Sequence, residues 1–302
     1  MNKLLKVLAA SALVATALVG CGNKDDGGAT TAAKIAKAGL GIVSSLSDEG
    51  QVNTTFVALG LDADVKIAYI DLDVAQSTPG GDGELDKTKE ERGTDYNMKG
   101  ASPIGKEWDE QAVAFEEYCK GKTPEEVAKV ETMDYHGGKA AKEGTDLAAG
   151  CTITIDSFLA AVDKAAKNAV DVNADSVVLG RTMENDAEKK QLNTTLAMLA
   201  LDADKKVVSA KIDVAQIYEG VTDSKSERGA DYNMKGASAI GKEWDEQAKA
   251  FEEYCVGKTV EDIAKVETMD YHGGKAAKEG TDLAAGCTIT IDAFLEAIAK
   301  AK

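Results

Sequence analysis

The chain has 302 residues, 44% hydrophobic and 29% charged, which excludes wholesale disorder and collagen-like structure and suffices for one large domain or two ordinary ones. Asp and Glu number 52 against 35 Lys and Arg, and the resulting formal charge of −17 repels nucleic acid, so no nucleic-acid partner is expected. Two histidines leave no room for a His-rich metal site or broad imidazole catalysis.

At the start, Lys3 and Lys6 precede an uncharged apolar run from Val7 to Val19, the pattern of a secretion signal and too short for a spanning helix. Leu18-Val19-Gly20-Cys21 resembles the bacterial lipobox, which implies removal of residues 1–20, acylation of Cys21, and anchoring to the lipid membrane on its extracytoplasmic face. Residues 21–38 are small and polar and read as a tether, with the globular part starting near Gly39.

The body of the chain repeats itself. Arg92–Ala161 aligns without gaps on Arg228–Ala297, with 61 of 70 positions identical. Upstream the likeness is weaker, and a shift in offset falls in the Gly-rich stretch Ser77–Glu90, where an exposed loop tolerates length change. The expected organisation is a tandem duplication with a first repeat over 39–165, a linker over 166–174 and a second repeat over 175–302.

Each repeat reads as α+β, a small antiparallel sheet packed with helices. Asn53–Leu59 and Lys66–Asp73 are β-rich runs around a turn at Gly60–Asp64, and the second repeat has Lys205–Asp213 in the same place, so a hairpin is expected. A helix is predicted over Ile104–Tyr118, with Trp108, Ala112, Phe115 and Tyr118 on one face. A short helix starts at Thr123-Pro124, with Thr123 as cap, and a last helix runs from Ile153 to about Lys167.

Between these helices both repeats carry Gly-Thr-Asp-Leu-Ala-Ala-Gly-Cys-Thr, at Gly144–Thr152 and Gly280–Thr288. A Gly-containing loop leading into a helix suits a phosphate, because free backbone N–H groups and the positive helix end favour an anion. Gly150 and Gly286 permit close backbone approach, and Thr152 and Thr288 place hydroxyls that either meet a phosphate or cap the helix.

Asp146, Gly150 and Thr152, and again Asp282, Gly286 and Thr288, resemble the Asp-x-x-(Ser/Thr)-Gly-Ala-Thr motif of the flavin-binding domains in small flavin-carrying subunits of bacterial sodium-pumping quinone reductases. Alanine replaces the motif's Ser/Thr and cysteine its alanine. With the lipobox and the duplication, the whole chain is similar to the two-flavin surface lipoproteins of Gram-positive extracellular electron transfer. The resemblance implies an FMN-binding-domain-like fold in each repeat, and FMN phosphoester-linked to Thr152 and Thr288 by a flavin transferase. It further implies a membrane quinone-linked electron donor and an extracellular ferric iron or flavin acceptor. Asp146 and Asp282 would orient the hydroxyl or ligate the transferase's metal, or would cap the Leu-Ala-Ala turn.

Outside the cell, the duplication favours disulfides Cys119–Cys151 and Cys255–Cys287; the alternatives are thiols beside the flavin or small buried hydrophobes. His136 and His272 read as structural, or as contacts to a flavin with Tyr135 and Tyr271; Trp108 and Trp244 read as core, and Lys99 and Lys235 are candidates to meet a phosphate. No nucleophile, base and orienter set stands out, so the chain reads more as an electron-transfer carrier than as an enzyme in the strict sense. The rival readings are a solute-binding lipoprotein without covalent flavin, and a precursor whose leader supplies a peptide pheromone.

Overall fold

The computed structural model describes residues 34–78 and 87–302. The secretion signal, Cys21 and most of the tether lie outside the described residues, as does the middle of the Ser77–Glu90 loop.

The expected hairpin is present as β2 (Val52–Leu61) and β3 (Ile67–Ser77). Asp62 Oδ1 accepts the N–H groups of Asp64 and Lys66, each at 2.9 Å, and this bracing holds Val65 at a φ of +62° in the turn. A further strand, β1 (Ile35–Leu46), precedes the hairpin and pairs with β2, so ordered structure begins ahead of Gly39. Its glycines have a packing reason. A Cβ on Gly39 or Gly41 would lie 2.1 Å from the carbonyl oxygen of Ala165 or Ala161, because the helix α4 (Asp156–Lys167) lies directly on the strand.

Most of residues 166–174, the stretch expected to link the repeats, lie in regular structure. Lys167 ends α4, and Val170–Ala174 forms β6, which pairs antiparallel with β1 and completes a first sheet of order β3-β2-β1-β6. The second sheet, of order β7-β8-β9, comprises β7 (Ser176–Asp186), β8 (Gln191–Leu201) and β9 (Val207–Ile217).

Each sheet carries helices on one face. The first has α1 (Lys89–Arg92), α2 (Trp108–Cys119), α3 (Pro124–Val127), a ribbon of β4 (Thr132–Tyr135) and β5 (Gly138–Ala141), and α4. The second repeats the order with α5 (Lys225–Arg228), α6 (Trp244–Cys255), α7 (Val260–Ile263), β10 (Thr268–Tyr271), β11 (Gly274–Ala277) and α8 (Asp292–Ala299).

Strand alternation divides the apolar residues into three cores. Val57, Leu59 and Leu61 of β2 face Phe115, Phe158 and Trp108, while Phe56 and Ala58 face the other sheet. The central core joins Leu40 and Ile42 of β1 to Leu196 and Met198 of β8, and a third lies under α6 and α8. The layers are therefore helices, sheet, sheet, helices, and the described residues form one compact unit. At the meeting of β3 and β7, Arg181 is buried among three carboxylates, with Asp71 at 3.0 Å, Asp73 at 3.1 Å and Glu90 also bound.

Candidate functional site

The repeated motif loops each open onto a cavity. The first, of about 520 Å³, is lined by Pro103, Ile104, Met133, Tyr135, Asp146, Ala149 and Thr152, and the second, of about 460 Å³, by Ala239, Met269, Tyr271, Asp282, Ala285 and Thr288. Both lie in the size range of small-molecule sites and share its character, an apolar wall with few polar groups.

Thr152 does not cap a helix. Residues 151–155 are not helical, Ile155 takes the N-cap position of α4 without a side-chain bond, and a bridge joins Thr154 to Ala140. The chain instead makes a 3-10 turn at Leu147–Ala149, and Cys151 N–H donates to the Leu147 carbonyl at 2.8 Å. The helix end that the sequence suggested as the anion site thus starts beyond Thr152, and Asp156 in its first turn accepts the Lys139 N–H at 2.5 Å.

What holds Thr152 is Gln111 of α2. The Thr152 N–H and hydroxyl donate to Gln111 Oε1, at 2.9 and 3.1 Å, and Gln111 Nε2 donates to Ser102 Oγ and the Lys106 carbonyl, each at 3.2 Å. The second half repeats this arrangement: Thr288 to Gln247 at 2.9 and 3.1 Å, with Gln247 Nε2 on Ser238 Oγ at 3.1 Å and the Lys242 carbonyl at 3.2 Å. Both glutamines are fully buried.

Gly150 makes this approach possible. Its φ of −117° is open to any residue, but a Cβ there would lie 2.7 Å from Ala114 Cβ, one turn along α2 from Gln111. Gly286 would meet Ala250 Cβ at 2.8 Å in the same way. The Lys106 and Lys242 ammonium groups stand 3.8 and 3.9 Å from the same two Cβ positions, beside the motif loops.

Asp146 and Asp282 line their cavities, and Asp146 makes no capping bond to the Leu147–Ala149 turn. Thr145 ties that turn instead, donating to the Lys142 carbonyl at 2.7 Å and accepting the Ala148 N–H at 3.4 Å. Cys119, Cys151, Cys255 and Cys287 are buried free thiols, so the expected disulfides are not formed. Burial pushes Cys119, Cys151 and Cys255 up to about 12 and Cys287 to about 11, which leaves no thiolate at neutral pH.

Tyr135 and Tyr271 form cavity wall, but His136 and His272 do not line it; they occupy exposed ribbon turns with φ of +45° and +47°, each followed by a glycine of positive φ. Trp108 and Trp244 are core, edge-on to Phe158 and Phe294 at 6.0 and 5.9 Å. Lys99 and Lys235 are exposed and outside the cavity walls.

Sequence reasoning missed Gln111, Ser102 and Lys106. The signal for Gln111 was available, since it interrupts the apolar face formed by Trp108, Ala112 and Phe115, as Gln247 does in the second half. Among the described residues no helix is long and apolar enough to cross a membrane, and no cluster of three His, Cys, Asp or Glu is placed to hold a metal ion. No protein-family model matches this chain, and no curated protein or solved structure matches it.

Proposed function

We propose that the chain is a lipid-anchored extracytoplasmic flavoprotein whose two halves arose by tandem duplication, each carrying FMN in phosphoester linkage to Thr152 or Thr288. It relays electrons from a membrane quinone-linked donor to extracellular ferric iron or free flavin, and is a carrier and not an enzyme in the strict sense. The observation that carries this reading is the duplicated site: twice, a threonine hydroxyl fixed by a buried glutamine stands at the wall of an apolar, tyrosine-containing cavity.

The residues fit the group. Tyr135, Met133 and Ile104 offer a surface for a flat aromatic ring, Thr152 offers an oxygen for the phosphoester, and the Lys106 ammonium lies beside the loop where the phosphate charge would stand. A bound flavin supplies one- and two-electron transfer, and the protein supplies placement. The order of the signal, Cys21 and a polar tether supports attachment to the membrane surface with reach beyond it.

The test is intact mass and visible absorption of residues 22–302, which include the whole compact unit, produced with and without a flavin transferase. Two FMN adducts are expected with the transferase, and one in each of Thr152→Ala and Thr288→Ala. A colourless, unmodified chain after co-production overturns the reading. It would favour solute binding, for which a separate cavity of about 520 Å³ where β1 meets β9, lined by Lys164, Lys211, Asp213, Glu227 and Met198, is the site to examine.

A further inference from the structure

We infer that Gln111 and Gln247 are the positioning residues for phosphoryl transfer onto Thr152 and Thr288: each fixes its threonine hydroxyl so that the proton points into the protein and the oxygen lone pairs face the cavity. The inference rests on the flavin reading above.

The amide orientation is set from both ends. Lys106 O can only accept, so the group 3.2 Å from it is Nε2; Thr152 N–H can only donate, so the group 2.9 Å from it is Oε1. A flip of the amide would set donor against donor and acceptor against acceptor inside a buried site, where no water is at hand to satisfy either group. With Oε1 locked, the Thr152 hydroxyl at 3.1 Å has an acceptor for its proton, and its lone pairs are left for an electrophile. The same logic holds at Gln247, between the Lys242 carbonyl and Thr288.

The step is a transfer from a flavin dinucleotide. The threonine Oγ forms a bond to the FMN phosphorus, the phosphorus–oxygen bond of the anhydride breaks, and nucleoside monophosphate leaves. An amide cannot keep the hydroxyl proton, which passes to the transferase or to water. The glutamine's part is therefore orientation before attack, the kind of contribution that a misplacement of about 1 Å reduces by about 100-fold.

The two sites in one molecule supply an internal control. In Gln111→Leu, attachment at Thr152, followed by peptide mass during a transferase time course, should slow about tenfold or more relative to attachment at Thr288. Protonated, the carboxyl of Gln111→Glu keeps the acceptor for the Thr152 hydroxyl and a donor toward the Lys106 carbonyl, whereas ionised it sets acceptor against that carbonyl, so attachment at Thr152 should fall as pH rises through the introduced carboxyl's titration; in the wild type the ratio of the two sites should not vary with pH.

Equal loading of both sites in Gln111→Leu overturns the positioning role and leaves the flavin reading intact. No loading of either site in the wild type overturns both. Should Gln111→Leu load neither site, the Gln111→Glu ratio decides, and a ratio that does not respond to pH overturns the inference.

Discussion

At the scale of single residues, Gly150 and Gly286 show how one missing methyl group builds a site. Backbone conformation does not require glycine at Gly150; the approach of α2 does, since Ala114 Cβ would lie 2.7 Å from an added Cβ. Gly150→Ala should push the loop from α2, destabilise the fold by about 1–3 kcal/mol as overpacking does, and lengthen the bond from Thr152 to Gln111. Flavin attachment at Thr152 should fall while Thr288 loads normally, and Ala114→Gly in the same chain should restore loading, and stability to within about 1 kcal/mol, the cost of a glycine inside α2. Urea melts and peptide mass check this, and a Gly150→Ala variant with unchanged midpoint and loading contradicts it. The motif residues Asp146, Gly150 and Thr152 were legible because they are close in sequence. Gln111 lies 41 residues from Thr152, and only the packing of α2 on the loop, which Gly150 permits, brings them together.

At the scale of elements, legibility followed local chemistry. The β2–β3 hairpin has an Asp-rich turn, and α3 has Thr123 and Glu126 in a reciprocal capping arrangement, so both could be read. The start of α2 was placed at Ile104, but Gly105 holds a φ of +65° and the helix begins at Trp108, with the Glu110 carboxylate accepting the Glu107 N–H at 2.8 Å. β1 was missed because Gly39 and Gly41 weaken its strand signal, and the packing of α4 that makes them necessary is nonlocal. The ribbon β4–β5 was missed because its strands are only four residues long and mostly half-buried or exposed. That ribbon places Tyr135 in the cavity wall, and two bonds tie it to the start of α4: Lys139 N–H to Asp156 Oδ2 at 2.5 Å, and Ile155 N–H to the Lys139 carbonyl at 2.7 Å. Asp156→Ala should remove the first, cost about 0.5–1.5 kcal/mol because both partners are exposed, and speed hydrogen exchange at the Lys139 amide. The Lys275 amide, held at 2.5 Å by Asp292, should keep its rate in the same sample, and equal rates at the two amides would show the tether to be unimportant.

At the scale of the molecule, the two halves are joined through a shared core. The sequence carried a trace of this: β2 and β8 are nearly continuous apolar runs, as strands covered on both faces are, where a strand with one wet face would alternate. Arg181 and its three carboxylates had no such trace, because Asp71, Asp73 and Glu90 come from the other half. Arg181→Met should cost about 3–5 kcal/mol, since it strands buried carboxylates. The cluster also sets a pH dependence. One guanidinium faces three carboxylates, and burial raises Asp73 to about 7 despite the opposing pull of Arg181; burial likewise raises Glu116 to about 7, near Asp71 and Asp73. The folded chain therefore keeps protons on these groups that the unfolded chain releases at about pH 4, and where the native state binds more protons, stability falls as pH rises. The urea midpoint should be higher at pH 5 than at pH 8. Asp73→Asn imitates the protonated form, and its Oδ1 can still accept from Val74 and Glu90 N–H, at 2.6 and 3.0 Å in the native chain. Its midpoint should fall less between the same two pH values, with Glu116 supplying the remainder. A wild-type midpoint that rises from pH 5 to pH 8 would mean that Asp73 is held ionised by Arg181, and that the junction between the halves is a fully charged ion cluster.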